Sequence, residues 1–218
     1  MSDYKLLNYL DSFLTETRMD RFKKILSQRT KHFTVAIEDV YHLHNTSAVI
    51  RSCDVFGIQE AHLIEEVNSK KIDREIALGS QKWVDIFRYQ SSKECLTNLK
   101  SQGYQIVAST PHENDSMLAD FDISRKSCFC FGKETDGLSD YILEEADSFL
   151  KIPMVGFTES LNISVAAAII LQHVTTKLKE SDLDWKLSDD EQIDKRIDWS
   201  KKTIKSISSV MDHYNTNQ

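Results

Sequence analysis

Apolar side chains recur at helical spacing at the start of the chain, where Leu6, Leu7, Tyr9, Leu10, Phe13 and Leu14 form a stripe ahead of a basic run, Arg18, Arg21, Lys23, Lys24 and Arg29. Spacings of three and four place such residues on one face of a helix, so this region is predicted to be amphipathic and helical. From Phe33 the period changes. Short runs rich in β-branched and aromatic residues, at 34–37, 61–64, 84–89, 104–109, 127–131 and 148–152, alternate with helical segments. Strands alternating with helices predict an α/β domain with a mostly parallel sheet flanked by helices. Helices are expected over 47–56 and 92–101, closed by Gly57 and Gly103, where a helix terminus takes a left-handed residue. The longest apolar helix is expected over 164–178 and the last over 189–211, with a linker rich in Asp, Ser and Lys between them at 180–190. The chain therefore divides into an N-terminal helical extension (1–31), an α/β domain (32–178) and a basic C-terminal helical extension (179–218).

With 218 residues, 40% of them hydrophobic, the chain can bury one well-packed core and carry helical appendages. No run of about 18 apolar residues is present, and Met1, Ser2, Asp3, Tyr4 and Lys5 do not form a signal pattern, so a cytoplasmic protein without a membrane span is expected. The four cysteines, Cys53, Cys95, Cys128 and Cys130, lack CxxC or zinc-finger spacing, which leaves a disulfide framework or structural metal unsupported. Cys128 and Cys130 alternate with Phe129 and Phe131 as a buried strand does. Cys53 lies in an apolar helical run, a poor setting for a nucleophile.

The formal net charge of -7 argues against a nucleic-acid partner until its distribution is considered. Residues 1–31 hold seven Lys and Arg against four Asp and Glu, whereas residues 32–176 hold 12 against 21. In the tail, Lys195, Arg196, Lys201, Lys202 and Lys205 face only Asp198 over 195–205. Both ends thus offer basic surface on an acidic body, either as solvated helix faces or as an RNA surface formed by Arg21, Lys23, Lys24, Lys195, Arg196, Lys201 and Lys202.

Three segments carry candidate chemistry. The first, 44–57, reads HNTSAVIRSCDVFG and follows a strand. Asn45 at such a junction can cap a helix, a role that would explain it by itself. Arg51 stands six positions on, in a helix of small and apolar residues, and either snorkels to solvent or reaches a phosphate or carboxylate. The second, 130–139, reads CFGKETDGLS, a buried strand that runs into a glycine-bounded loop of the kind that holds ligands at strand carboxyl ends. Glu134 is its candidate polar contact, or else a solvated loop acid or a cap for the helix expected near Ser139. The third, 152–168, reads IPMVGFTESLNISVAAA, with Ser160 and Asn162 just ahead of a helix of very small residues. Helix N-termini present unpaired N–H groups to ligands, and a cap accounts for one of these two polar residues.

In order and spacing the three segments resemble the three motifs of the SpoU family of RNA ribose 2'-O-methyltransferases, in the SPOUT superfamily. The likeness covers about residues 33–178, and the terminal helices are similar to the extensions of its TrmH-type tRNA (guanosine-2'-O)-methyltransferases. The resemblance implies a deep trefoil knot in the C-terminal part of the domain, a homodimer and S-adenosylmethionine as cofactor. It implies Arg51 as the catalytic residue, as base or as electrostatic stabiliser, with Asn45, Glu134, Ser160 and Asn162 positioning it, the RNA and the cofactor. It places the adenosine pocket against Thr110, Gly132, Ile152, Met154 and Leu161. No GxG occurs among Gly57, Gly79, Gly103, Gly132, Gly137 and Gly156, so a Rossmann-type loop is not the cradle.

Metal catalysis is not expected, since His42 and His44 have no carboxylate or cysteine partner at ligand spacing. The resemblance points to the D-loop guanosine at tRNA position 18. The alternatives are methylation of ribosomal RNA, whose enzymes commonly carry a separate N-terminal RNA-binding domain where this chain has about 30 residues, and a non-catalytic RNA-binding factor.

Overall fold

A strand covered on both faces is buried at every position, as β1 (Phe33–Glu38), β2 (Glu60–Ile64) and β6 (Ser127–Phe131) are, with the buried polar side chains Thr34, Glu38, Glu60, His62 and Ser127 among mostly apolar ones. The computed structural model, which describes residues 3–40, 43–66, 79–110, 116–133 and 135–216, completes the sheet with β3 (Asp85–Tyr89), β4 (Gln105–Ser109), β5 (Ser116–Met117) and β7 (Ser148–Lys151). The order is β3-β2-β1-β6-β4-β7-β5 and every pairing is parallel. The mostly parallel α/β fold read from the sequence is thus observed. The direction of winding reverses between β1 and β6, and in such sheets ligands bind outside the strand carboxyl ends near the reversal.

Side chains of period two separate the core into two layers. Phe33, Val35, Ile37, Ala61, Leu63, Val107, Phe129 and Phe131 face one side, with Val49, Ile50 and Cys53 of α3 (Leu43–Phe56) and Ala167, Ile170, Leu171 and Val174 of α6 (Ile163–Lys179). Their even-numbered neighbours Ala36, Ile64, Ile106, Ala108, Cys128 and Cys130 face the other side, with Cys95, Leu96 and Leu99 of α4 (Ser92–Ser101) and Ile142 of α5 (Asp140–Glu145). Gly57 and Gly103 end α3 and α4 with φ of 86° and 82°, as their spacing predicts. Burial raises the thiols of Cys95 and Cys128 well above the ordinary cysteine range, which makes them core residues. Among the described residues no helix is long and apolar enough to cross a membrane.

Residues 30–185 form one compact unit, and residues 1–29 with 186–218 form another. The second unit holds four helices, α1 (Tyr4–Asp11), α2 (Glu16–Leu26), α7 (Asp189–Thr203) and α8 (Ile207–Thr216). An eight-residue helix such as α1 is unstable alone, and Leu6, Leu7 and Leu10 bury against Ile193 and Ile197 of α7. The two extensions, separate in sequence, therefore share one small core. The single helix expected over 189–211 is two, because the chain leaves the helix at Ile204 and Ser206 takes a left-handed φ of 55°. Arg29 of the basic run is buried, 5.5 Å over the ring of Trp199, and is not part of any basic surface.

His62 of β2 is 1% exposed, with Nδ1 3.0 Å from the Tyr89 hydroxyl. Burial lowers its pKa from 6.5 to about 4. The unfolded chain takes up this proton below about pH 6.5 and the folded chain only near pH 4, so stability falls as pH drops through that window, by about 3 kcal/mol at full extent. Denaturant unfolding at pH 7 and pH 4.5 should show wild type losing about 2–3 kcal/mol more than His62→Gln. Equal losses would mean that His62 is not the group responsible.

Candidate active site

Three neighbouring strands, β6, β4 and β7, end at the same edge of the sheet, and the loops that leave them enclose a cavity of about 360 Å³. Ser109 and Thr110 contribute from β4, where the Thr110 N–H donates to the Leu150 carbonyl at 3.1 Å and prolongs the pairing by one residue. Phe131 contributes from the end of β6, Gly132, Lys133, Thr135, Asp136 and Gly137 from the loop after it, and Ile152, Met154, Ser160 and Leu161 from the segment after β7. Ile163 and Ala166 of α6 close the wall. All five residues expected at an adenosine pocket, Thr110, Gly132, Ile152, Met154 and Leu161, line this one cavity.

The loop after β6 is a tight hairpin. The Lys133 N–H donates to the Gly137 carbonyl at 2.8 Å and the Gly137 N–H to the Lys133 carbonyl at 3.0 Å, with Gly137 at a φ of 71°. A Cβ on Gly132 would lie 2.1 Å from the Gly137 carbonyl oxygen, so no other residue fits without opening the hairpin. The loop ends at Ser139, the N-cap of α5, whose hydroxyl accepts from the Ile142 N–H.

The first and third segments meet through two asparagines. Asn162 is the N-cap of α6 and accepts from the Ser164 N–H at 2.8 Å, while its amide donates to Asn45 Oδ1 at 3.2 Å. The alternative reading of Asn45 as a helix cap does not apply, because α3 starts at Leu43 and places it in the first turn. There it is buried and faces α6. Arg51 is exposed on the same helix, about 9 Å further along the axis. It does not line the cavity, and it makes no hydrogen bond or ion pair with a described residue. Glu134 and His42 lie outside the described residues, and His44 is exposed. Among the described residues no three His, Cys, Asp or Glu side chains converge as a metal site.

Of the basic residues singled out in the extensions, Arg21, Lys23, Lys24 and Lys202 are exposed and Lys195 and Lys201 are half-buried. Arg196 is committed to Asp11 at 2.6 Å and Lys202 to Asp198 at 2.6 Å. Sequence reasoning missed Glu38, at the carboxyl end of β1, whose buried carboxylate accepts from Ser139 and Ser92. An acid at a strand end carries no pattern that would single it out.

Residues 32–172 match the model of the SpoU rRNA methylase family. The chain is 35% identical over 202 residues to a tRNA (guanosine(18)-2'-O)-methyltransferase of Borreliella burgdorferi, covering 93% of each protein. It is 34% identical over 158 residues to the tRNA (guanosine(18)-2'-O)-methyltransferase of Escherichia coli K12, covering 72% of this chain and 69% of that one. Among solved structures it is similar to the TrmH/SpoU tRNA modifying enzyme of A. aeolicus, with a TM-score of 0.79, 32% identity and coverage of 87% of this chain and 98% of that one.

Proposed function

This chain belongs to the SpoU rRNA methylase family, and on that premise we propose that it transfers a methyl group from S-adenosylmethionine to a ribose 2'-oxygen of tRNA, the D-loop guanosine at position 18. The observation that carries the reading is the convergence of Thr110, Gly132, Ile152, Met154 and Leu161 on one cavity. Its volume of about 360 Å³ lies within the range of about 300–1,000 Å³ used for cofactors and small ligands. Apolar walls at Ile152, Met154 and Leu161 suit an adenine, and the Gly132 backbone in the same wall offers peptide groups to a ribose or base edge.

When bound there, S-adenosylmethionine supplies a methyl group on a sulfonium, which leaves without needing a proton. The work of the chain is alignment, charge stabilisation and exclusion of water. Arg51 holds the phosphate beside the target ribose. Its positive charge stabilises the 2'-oxygen as the hydroxyl proton passes to solvent water and the oxygen takes the methyl group. Its exposure on α3 leaves it available to an RNA. Asn45 and Asn162, hydrogen-bonded to each other, hold α3 against the start of α6. Ser160 stands at the cavity wall, and its place in the third motif assigns it to the methyl acceptor. Glu134 is assigned with these residues from its place in the second motif.

The proposal includes the deep trefoil knot of the family around this cavity, a homodimer and a cytoplasmic location. The exposed apolar side chains of Val165 and Ile169, one turn apart on α6, support the dimer, since a second copy would cover them. We assign catalysis to residues 32–178 and RNA capture to 1–31 and 179–218, with Arg21, Lys23, Lys24, Lys195, Arg196, Lys201 and Lys202 as the basic contacts. Arg196 and Lys202 must exchange close carboxylate partners for phosphate, whereas on α2 Lys23 has only a long, exposed contact with Asp20 at 3.9 Å, so the exposed residues of α2 carry the larger share. Changing Arg21, Lys23, Lys24 and Lys201 to Gln should weaken tRNA binding and flatten its salt dependence, by about one unit of log–log slope for each phosphate that is no longer neutralised. Binding titrations from 50 to 200 mM salt measure this, and an unchanged slope would remove the extensions from the RNA surface.

Purified protein incubated with methyl-labelled S-adenosylmethionine and separate pools of tRNA and ribosomal RNA tests the function. Label on tRNA supports the reading; label on ribosomal RNA alone replaces the substrate. Cofactor binding without label on either pool leaves a non-catalytic RNA-binding factor.

A further inference from the structure

We propose that Glu38 is a positioning residue for cofactor binding, acting through Ser139 to fix the far end of the loop that lines the cavity. This inference rests on the proposed S-adenosylmethionine site and adds to it a residue outside all three motif segments. The side chain lies at the carboxyl end of β1, beside the reversal of the sheet, and is 4% exposed. Its carboxylate receives three hydrogen bonds. Ser139 donates twice, from its N–H to Oε2 at 2.8 Å and from its hydroxyl to Oε1 at 2.6 Å, and the Ser92 hydroxyl of α4 donates to Oε1 at 2.5 Å.

The reason for this arrangement lies in how the loop is held. Its near end continues β6 at Gly132, and the hydrogen bonds between Lys133 and Gly137 close the hairpin on itself. Those bonds set the shape of the loop but not its orientation over the cavity. Orientation is fixed where the loop rejoins the fold, at Leu138 and Ser139. Leu138 is buried in the apolar layer, a contact without direction. The Ser139 contacts have direction, because backbone and side chain of one residue grip one carboxylate while the same hydroxyl still accepts from the Ile142 N–H. Glu38 therefore transmits the position of β1 to the wall that includes Gly132, Lys133 and Gly137. Ser92 holds the same carboxylate from a helix that contributes nothing to the cavity, and this supplies an internal control.

Calorimetric titration of the full chain with S-adenosylmethionine, together with KM and kcat on tRNA, tests the inference. Glu38→Ala should raise the dissociation constant about tenfold and KM in parallel, with kcat at saturating cofactor changed less than about twofold. Ser139→Ala, which keeps the backbone bond, should raise it about threefold, Ser92→Ala less than about twofold, and the Glu38→Ala/Ser139→Ala double variant no more than Glu38→Ala alone. Glu38→Gln keeps an acceptor for the Ser139 N–H and should recover most of the affinity. Wild-type affinity in Glu38→Ala overturns the inference, as does equal weakening by Ser92→Ala and Ser139→Ala, a pair that decides the matter even if Glu38→Ala does not fold. A wild-type chain that binds no S-adenosylmethionine overturns the functional reading itself; binding by wild type and Glu38→Ala alike overturns only the role of Glu38.

Discussion

Arg51→Ala is expected to lower kcat for tRNA methylation by about 10²- to 10³-fold or more while changing the affinity for S-adenosylmethionine less than about twofold. The separation follows from position. Arg51 stands exposed on α3 and outside the cavity wall, so its removal takes nothing from the cofactor's surroundings. On the proposed role, what is lost is a fixed positive charge beside the 2'-oxygen, an interaction strongest as negative charge develops there. Arg51→Lys should recover little, because an ammonium cannot reproduce the two-pronged grip of a guanidinium on phosphate. Single-turnover methylation and calorimetric titration on the same samples measure the two effects, and parallel loss of both would remove Arg51 from catalysis.

Gly132→Ala should act in the opposite sense, raising the dissociation constant for S-adenosylmethionine about 10- to 100-fold. The added Cβ meets backbone, 2.1 Å from the Gly137 carbonyl oxygen, and no side chain can turn away to relieve it. The hairpin must open, and the cavity wall opens with it. Gly156→Ala is the natural comparison: its Cβ would meet only the Thr158 nitrogen at 3.9 Å, an ordinary contact, so affinity should hold. If both variants bind the cofactor like wild type, the hairpin is not part of its site.

Much of this architecture is legible in the sequence because it rests on periodicity. Phe33, Val35 and Ile37 on one face of β1 and Ala36 on the other follow from the period of a strand, and the glycines after α3 and α4 mark where those helices stop. Features without a periodic or chemical signature were not legible. β5 is two exposed residues, Ser116 and Met117, paired only by backbone to β7. The break between α7 and α8 falls at Ile204–Ser206 with no glycine or proline to announce it. The early start of α3 sets Asn45 in the first turn, where it partners Asn162, a contact between residues 117 apart in sequence.

The site divides the same way. Thr110, Gly132, Ile152, Met154 and Leu161 were expected from the family resemblance, and they line one cavity. The ban on a Cβ at Gly132 depends on a hairpin that closes five residues later, which composition does not reveal. Glu38 acts across 101 residues of chain on Ser139, and nothing local distinguishes it from other strand-end acids. Among the basic residues of the extensions, sequence counts charge but not pairing; Arg196 and Lys202 already hold carboxylates.

The most direct test of methyl transfer to the position-18 ribose is an assay on two tRNA molecules that differ by one atom, one with guanosine at position 18 and one with 2'-deoxyguanosine there. With methyl-labelled S-adenosylmethionine, the account predicts label on the first, at the 2'-oxygen of that nucleotide, and none on the second. Equal labelling of both would contradict it.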